Sequence, residues 1–231
     1  MEISIPKKLG HIWIGPLQPP IEWMQSWKDH HTDWEYTLYD NEYLLSRRWR
    51  AQSLINEYYR RGQYAGVADL MRYQILYEQG GLIPGADSRC LRPTDELWTT
   101  PSLFTVYENE EKKPGLVSPF LASAKGHPYL DQILRRLVRR SSPERLETPW
   151  KSVGNQFLKR AISTQPPENL VIFPSHYFIP KHKESPRYQG DGPVYCDQMW
   201  GTTLNLYQKP DGVDIEAIRK EHITILEAKL S

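Results

Sequence analysis

Apolar positions fall in short runs bounded by turn formers, with stretches of helical spacing between them. Leu9–Gly15 reads as a strand closed by the Gly15-Pro16 break, and Trp34–Tyr39 alternates as a second strand. Ile21–Trp27, Glu42–Arg50 and Leu54–Arg61 carry helical patterns. Over Ala65–Gln79, Val67, Met71 and Ile75 recur at every fourth position, and Gly80-Gly81 supplies a stop. Leu82-Ile83 predicts a short strand broken at Pro84-Gly85; Leu103–Tyr107 and Leu116–Phe120 predict two more. Pro128–Arg140 predicts an amphipathic helix, with Leu130, Ile133, Leu134 and Leu137 on one side and arginines on the other. Ser152–Ile162 reads as helix, Leu170–Phe173 as a buried strand and Pro174–Pro193 as a long loop. Ile215–Leu230 reads as a closing helix whose apolar stripe serves packing or a dimer. Strands alternating with helices favour an α/β domain with a mostly parallel central sheet, which binds ligands beyond the carboxyl ends of its strands. No repeat, low-complexity tract or linker divides residues 1–231, so a single domain is expected.

Composition narrows the class. The chain has 231 residues, 39% hydrophobic and 25% charged, as soluble globular proteins have, and is long enough to bury a sizeable core. A mean hydropathy of −0.64 and the lack of a long apolar run argue against a membrane span. Met1–Lys8 lacks the apolar stretch of a secretory signal, and Cys90 and Cys196 form no CxxC pair; a reduced, cytoplasmic chain is expected. A net charge of +1 argues against broad binding to a phosphate backbone, although the Arg135, Arg136, Arg139, Arg140 and Arg145 cluster escapes that average. The eight Trp and fourteen Tyr suit stacking on sugars or bases, and equally suit a core.

Two carboxylates stand out by position. Asp69 and Arg72 lie three apart on one helix face with Leu76, which fits either a surface ion pair or a pair that grips a ligand. Asp87 directly follows the short strand at Pro84-Gly85-Ala86, at the sheet edge. There it serves as a turn former or as a group that holds an anionic ligand with its metal.

The order of segments resembles a known family. Ile5-Pro6-Lys7-Lys8-Leu9-Gly10-His11-Ile12-Trp13-Ile14-Gly15 is similar to the opening IPKxIHxIWxG of glycosyltransferases with a DxD sugar-binding region. That family includes fungal initiating mannosyltransferases, bacterial capsule enzymes and relatives of the catalytic domains of large clostridial toxins. Ala65–Leu82 resembles its AxxSDxxRyeiLyxyGGiY segment; Trp34–Asp40, Ser118–Asp131 and Ile172–Pro180 resemble flanking pieces. The resemblance implies a GT-A-like nucleotide-sugar-binding fold and transfer of a sugar from a nucleoside diphosphate donor, with retention. The acceptor is unidentified: a glycan, small molecule, protein or modified nucleic acid. It also implies that Trp13 stacks on the nucleobase, with the backbone of Ile12 to Ile14 lining that pocket. Asp69 would meet sugar or ribose hydroxyls, and Arg72 the donor sugar or its phosphates. His11 is expected to pack under the strand.

The chain departs from the family at two places. Gly85 stands where the first acid of DxD is expected, leaving Asp87. In the late aiHhWxgSW segment, Gln198 and Met199 replace the histidines, Thr202 or Thr203 retains the hydroxyl, and Asp197 is a further candidate oxygen ligand. A manganese or magnesium ion is therefore weakened rather than excluded. Arg72, Arg89 and the Lys181-His182-Lys183 run are the side-chain cations that could share its load. No catalytic base is assigned. Two alternatives stay open: a degenerate sugar-nucleotide-binding protein, and a glycosyltransferase acting on modified DNA bases.

Overall fold

A computed structural model describes residues 5–100, 102–140, 142–182 and 185–230, with only the backbone of residue 140. Its elements are, in order, β1 (Lys8–Ile12), α1 (Ile21–His30), β2 (Glu35–Tyr39), α2 (Asn41–Leu45), α3 (Gln52–Arg60), α4 (Tyr64–Gln79), β3 (Gly81–Leu82) and β4 (Ser88–Cys90). There follow β5 (Leu103–Val106), β6 (Ala122–Ser123), α5 (Pro128–Arg140), α6 (Pro149–Ser152), α7 (Asn155–Thr164), β7 (Leu170–Phe173), α8 (Ser175–Phe178), β8 (Cys196–Gln198) and α9 (Ile215–Glu227).

Six strands form the central sheet in the order β2-β1-β3-β6-β5-β7. β6 is antiparallel to both neighbours and every other pairing is parallel, so five strands run one way and their carboxyl ends share one edge. This is the expected mostly parallel α/β arrangement. Successive residues serve opposite faces: Ile83 and Leu103 join the core under α3, α4, α5 and α7, whereas Leu82 and Phe104 join a second core with Trp27, Trp98 and Phe173. β4 and β8 make a separate antiparallel ribbon in which Cys90 faces Cys196, both free thiols.

The α4–β3 junction explains the double glycine. Gly80 and Gly81 have φ of 70° and 94°, a region that side chains avoid. A Cβ on Gly80 would also come within 2.7 Å of the Lys125 backbone nitrogen. Helix and strand can therefore meet only through residues without side chains.

Several expectations need correction. The helix expected over Glu42–Arg50 stops at Leu45, because Trp49 turns back to bury its ring and donates its indole N–H to the Leu44 carbonyl. Leu116–Phe120 is not a strand. Only Val117 bridges, to Tyr107, since Gly115 takes a φ of 70° and Pro119 lacks a donor; the strand forms at β6 instead. β7 buries only Phe173 fully, being the sheet edge. The loop expected after Pro174 begins with the helical turn α8. β4 and β8, three residues each, are too short to show an alternation. No described helix is long and apolar enough to cross a membrane.

Candidate functional site

The carboxyl ends of β3 and β5 open into a cavity of about 260 Å³. Pro84, Gly85 and Asp87 enter it from the turn after β3, and Glu108 from the segment after β5. Gln198 of β8, Asn155 at the start of α7 and Trp200 complete its polar rim, and Trp27, Phe178 and Ile179 supply apolar wall. The placement follows from topology, since chain leaving parallel strands must gather at one sheet edge.

Arg72 lines this cavity from α4. It donates Nη1 to the Ile83 carbonyl and, at 3.4 Å, to the Phe120 carbonyl, so its fork is anchored where β3 ends. Its Nε is buried without a hydrogen-bond partner. Burial pulls its pKa down, while Asp69, Tyr73 and Asp87 push it back up. Asp69 keeps slight solvent access but is enclosed by protein. Burial pushes its carboxyl up to about 7, opposed by the charge of Arg72. Gly154, just ahead of α7, approaches so closely that an added Cβ would lie 2.8 Å from Asp69 Oδ2. The pair therefore does not face bulk solvent. Arg72 forms cavity wall, and Asp69 lies beside it beneath the α7 terminus. His11 is fully buried at 0% exposure, and burial with the nearby Arg72 charge pushes it down to about 3, so it is neutral.

Asp87 meets both departures from the family pattern. Burial raises its pKa, opposed by hydrogen bonds from Gln198 and the Gly201 backbone and by the Arg72 charge. A Cβ on Gly85 would sit 3.1 Å from Asp87 Oδ1 and 3.7 Å from Gln198 Oε1. One carboxylate and one amide thus gather at the turn where the family pattern has two acids. Among the described residues no group of three or more His, Cys, Asp or Glu side chains is placed to hold a metal. The chain thus places fewer oxygen donors at this turn than the family pattern supplies.

Other sequence candidates lie elsewhere. Asp197 does not reach the cavity. Strand alternation turns Cys196 and Gln198 inward and Asp197 outward, where Arg187 and Arg89 take its oxygens at 2.5 and 3.3 Å. Arg89 is thereby committed away from the cavity as well. Thr202 and Thr203 occupy an exposed turn, with the Thr202 hydroxyl bonded to Tyr207. The side chains of Ile12 and Ile14 are core. Trp13 is half-buried at the end of β1. Its indole donates to the Leu17 carbonyl at 2.8 Å, and Tyr207 stands edge-on to it at 4.7 Å. Tyr207 also abuts Gly201 and feels the Asp87 charge, so it links the Trp13 face to the cavity. Of the basic run, His182 is buried, Lys181 is exposed and Lys183 lies outside the described residues.

Glu108, Asn155 and Tyr207 are additions the sequence did not single out. Glu108 Oε1 takes Lys113 Nζ at 2.6 Å and His182 Nε2 at 3.2 Å, and Oε2 takes the Asn155 amide at 2.7 Å. A signal existed for the first: like Asp87, Glu108 is an acid just past a strand.

Residues 20–103 match the family described as glycosyltransferase sugar-binding region containing DXD motif. Inositol phosphoceramide mannosyltransferase 3 of Schizosaccharomyces pombe is 30% identical over 142 residues, covering 59% of this chain and 38% of the relative. Inositol phosphoceramide mannosyltransferase 2 of the same yeast is 28% identical over 144 residues, covering 60% and 40%. The chain thus spans about two fifths of the length of these relatives. The solved structure of the PaToxG glycosyltransferase superposes with a TM-score of 0.55 at 14% identity, covering 71% of this chain and 70% of that one, a likeness of fold. The sequence matches are to glycosyltransferases whose sugar-binding region contains a DXD motif, and the family match spans residues 20–103 of this chain.

Proposed function

We propose that the chain transfers a hexose from a nucleoside diphosphate sugar to an acceptor hydroxyl. The observation that carries this reading is the convergence of Arg72 and Asp87 on one cavity at the carboxyl ends of the parallel strands. An anchored guanidinium offers paired donors to a diphosphate, and a neighbouring carboxylate accepts from sugar hydroxyls. The mannosyltransferase relatives make mannose the first sugar to test.

In this reading the acceptor oxygen bonds to the anomeric carbon as the carbon–oxygen bond to the diphosphate breaks; the diphosphate departs with the electron pair and takes up the proton of the acceptor hydroxyl. Arg72 offsets the charge that develops on it, a role that grows where the other ligands are thinned to Asp87 and Gln198. Asp69, with its raised pKa, offers a carboxyl that is protonated part of the time near neutral pH, and so both gives and accepts hydrogen bonds. Glu108 has both oxygens engaged and fixes Asn155 at the rim rather than taking a proton. Nucleobase stacking on Trp13, retention of configuration and little dependence on manganese belong to the same proposal.

The test is a panel of nucleoside diphosphate sugars, read by thermal shift and by release of the nucleoside diphosphate. One donor is expected to stabilise the chain and to be turned over, with turnover falling about a hundredfold or more in Arg72→Ala. A panel that neither stabilises the chain nor releases nucleotide overturns the reading. A second reading, donor binding without transfer, is favoured by the lone carboxylate at the Gly85 turn. It predicts stabilisation without release.

A further inference from the structure

α5 and α7 enclose a hollow of about 370 Å³ that shares no lining residue with the catalytic cavity. Arg135, Arg136 and Arg139 line it from α5, and Thr164 and Gln165 from the end of α7. A second hollow of about 260 Å³ adjoins it through Arg136 and adds Arg145 and Arg160. Among the described residues no carboxylate lines either hollow. Asp131, the nearby acid on α5, pairs with Arg135 at 2.7 Å and with Arg50 at 2.8 Å, leaving the other arginines uncompensated by it.

Five guanidiniums around two joined hollows are unexpected in a chain of net charge +1. Like charges at three and four spacing also work against the helix that bears them. Arg136 is half-buried, with its guanidinium carbon 5.8 Å from the centre of the Phe157 ring. Independently, Tyr129 in the wall of the first hollow is only 6% exposed, and its hydroxyl is buried with no hydrogen-bond partner. Arg136 is the charge acting on that hydroxyl. A buried O–H donor without an acceptor is costly, and an anionic oxygen entering beside Arg136 would satisfy both groups.

We propose that this hollow binds phosphate groups, as a site separate from the catalytic cavity. Guanidinium forks match tetrahedral phosphate oxygens, Tyr129 adds a neutral donor, and the volume accepts a molecule rather than a single ion. The phosphate is carried either by a soluble polyphosphorylated compound or by the headgroup of a lipid.

The full chain is titrated calorimetrically with inorganic tripolyphosphate, and separately floated with phosphatidylcholine vesicles containing phosphatidylinositol 4-phosphate, both at about 0.1 M salt. Saturable binding that survives Arg72→Ala is expected in one arm, and that arm identifies the source. Arg136→Gln and Arg139→Gln should each weaken it about tenfold or more, and Tyr129→Phe by a smaller factor with unfolding unchanged. Arg139 is exposed, so its variant folds whatever becomes of Arg136. Three outcomes overturn the site: no saturation in either arm, binding lost in Arg72→Ala but kept in Arg139→Gln, or multi-site binding to duplex DNA that outcompetes both probes. None depends on sugar transfer, so failure here and failure of the proposed activity are read separately.

Discussion

Gly154 lies against the Asp69 carboxylate so closely that a methyl group there would stand 2.8 Å from Oδ2 and 3.0 Å from the Trp150 Cα. Its φ of −97° is not in the left-handed region that favours glycine, and the close contact is what a side chain there would meet. Gly154→Ala must therefore displace either the carboxylate or the α6–α7 turn. The expected cost is about 1–3 kcal/mol of stability, measurable by urea unfolding, with donor turnover reduced further than stability alone accounts for. Unchanged stability together with unchanged turnover would show that nothing needs to move.

Asp69 makes stability depend on pH in an unusual direction. Its carboxyl ionises at about 7 in the folded chain against 3.8 in the unfolded one. Between those values the folded state holds the extra proton, so stability from this group is present at low pH and falls as pH rises from about 4 to 7. The penalty above pH 7 is on the order of a few kcal/mol, because Arg72 only partly offsets burial. Asp69→Asn should remove that slope, making the variant more stable than the parent at pH 8 and nearly equal at pH 4. Chemical denaturation at the two pH values checks it, and a parent that gains stability through this interval from Asp69 would contradict it.

How far this site can be read from sequence depends on how local each signal is. The limits of α5 and the glycine stop after α4 were legible because side-chain spacing and backbone freedom act within one turn. The sheet class followed from alternation of elements. Leu116–Phe120 misled because its apolar run has the composition of a strand, while Gly115 and Pro119 deny it the ladder. Asp197 was legible as an acid but not as an outward one, since a three-residue strand carries no pattern to reveal its facing. Asn155 and Tyr207 reach their places through folding of distant segments, and nothing near them in the chain marks them. Glu108 could have been found by the rule that singled out Asp87.

Gly85 gives a direct test of the thinned cation site. Gly85→Asp would add a second acid beside Asp87 Oδ1, with Gln198 Oε1 close by. Without metal, two adjacent carboxylates repel, and the variant should unfold at a lower temperature than the parent. With manganese at about 100 times its dissociation constant, the variant should regain about 2.7 kcal/mol, while the parent shifts little. Thermal unfolding with manganese and with a chelator reads both. A parent stabilised as strongly as the variant would mean that Asp87 and Gln198 already suffice.

Glu108 ties the cavity to the rest of the fold. Its carboxylate holds Lys113 and the buried His182 through one oxygen and Asn155 through the other. Removing it takes a carboxylate acceptor from the buried His182 and the half-buried Lys113 and Asn155, which typically costs a few kcal/mol. Glu108→Ala should therefore be destabilised by about 2–4 kcal/mol, and Glu108→Gln less, since an amide keeps an acceptor oxygen. Asn155→Ala separates the functions. It leaves Lys113 and His182 on Glu108 and removes only the amide at the cavity rim, so it should unfold within about 1 kcal/mol of the parent. Its donor turnover is expected to drop about tenfold or more on the proposal that this rim amide also meets the bound sugar. Equal turnover in parent and Asn155→Ala, with both folded, would confine the Glu108 network to holding the segment after β5 in place.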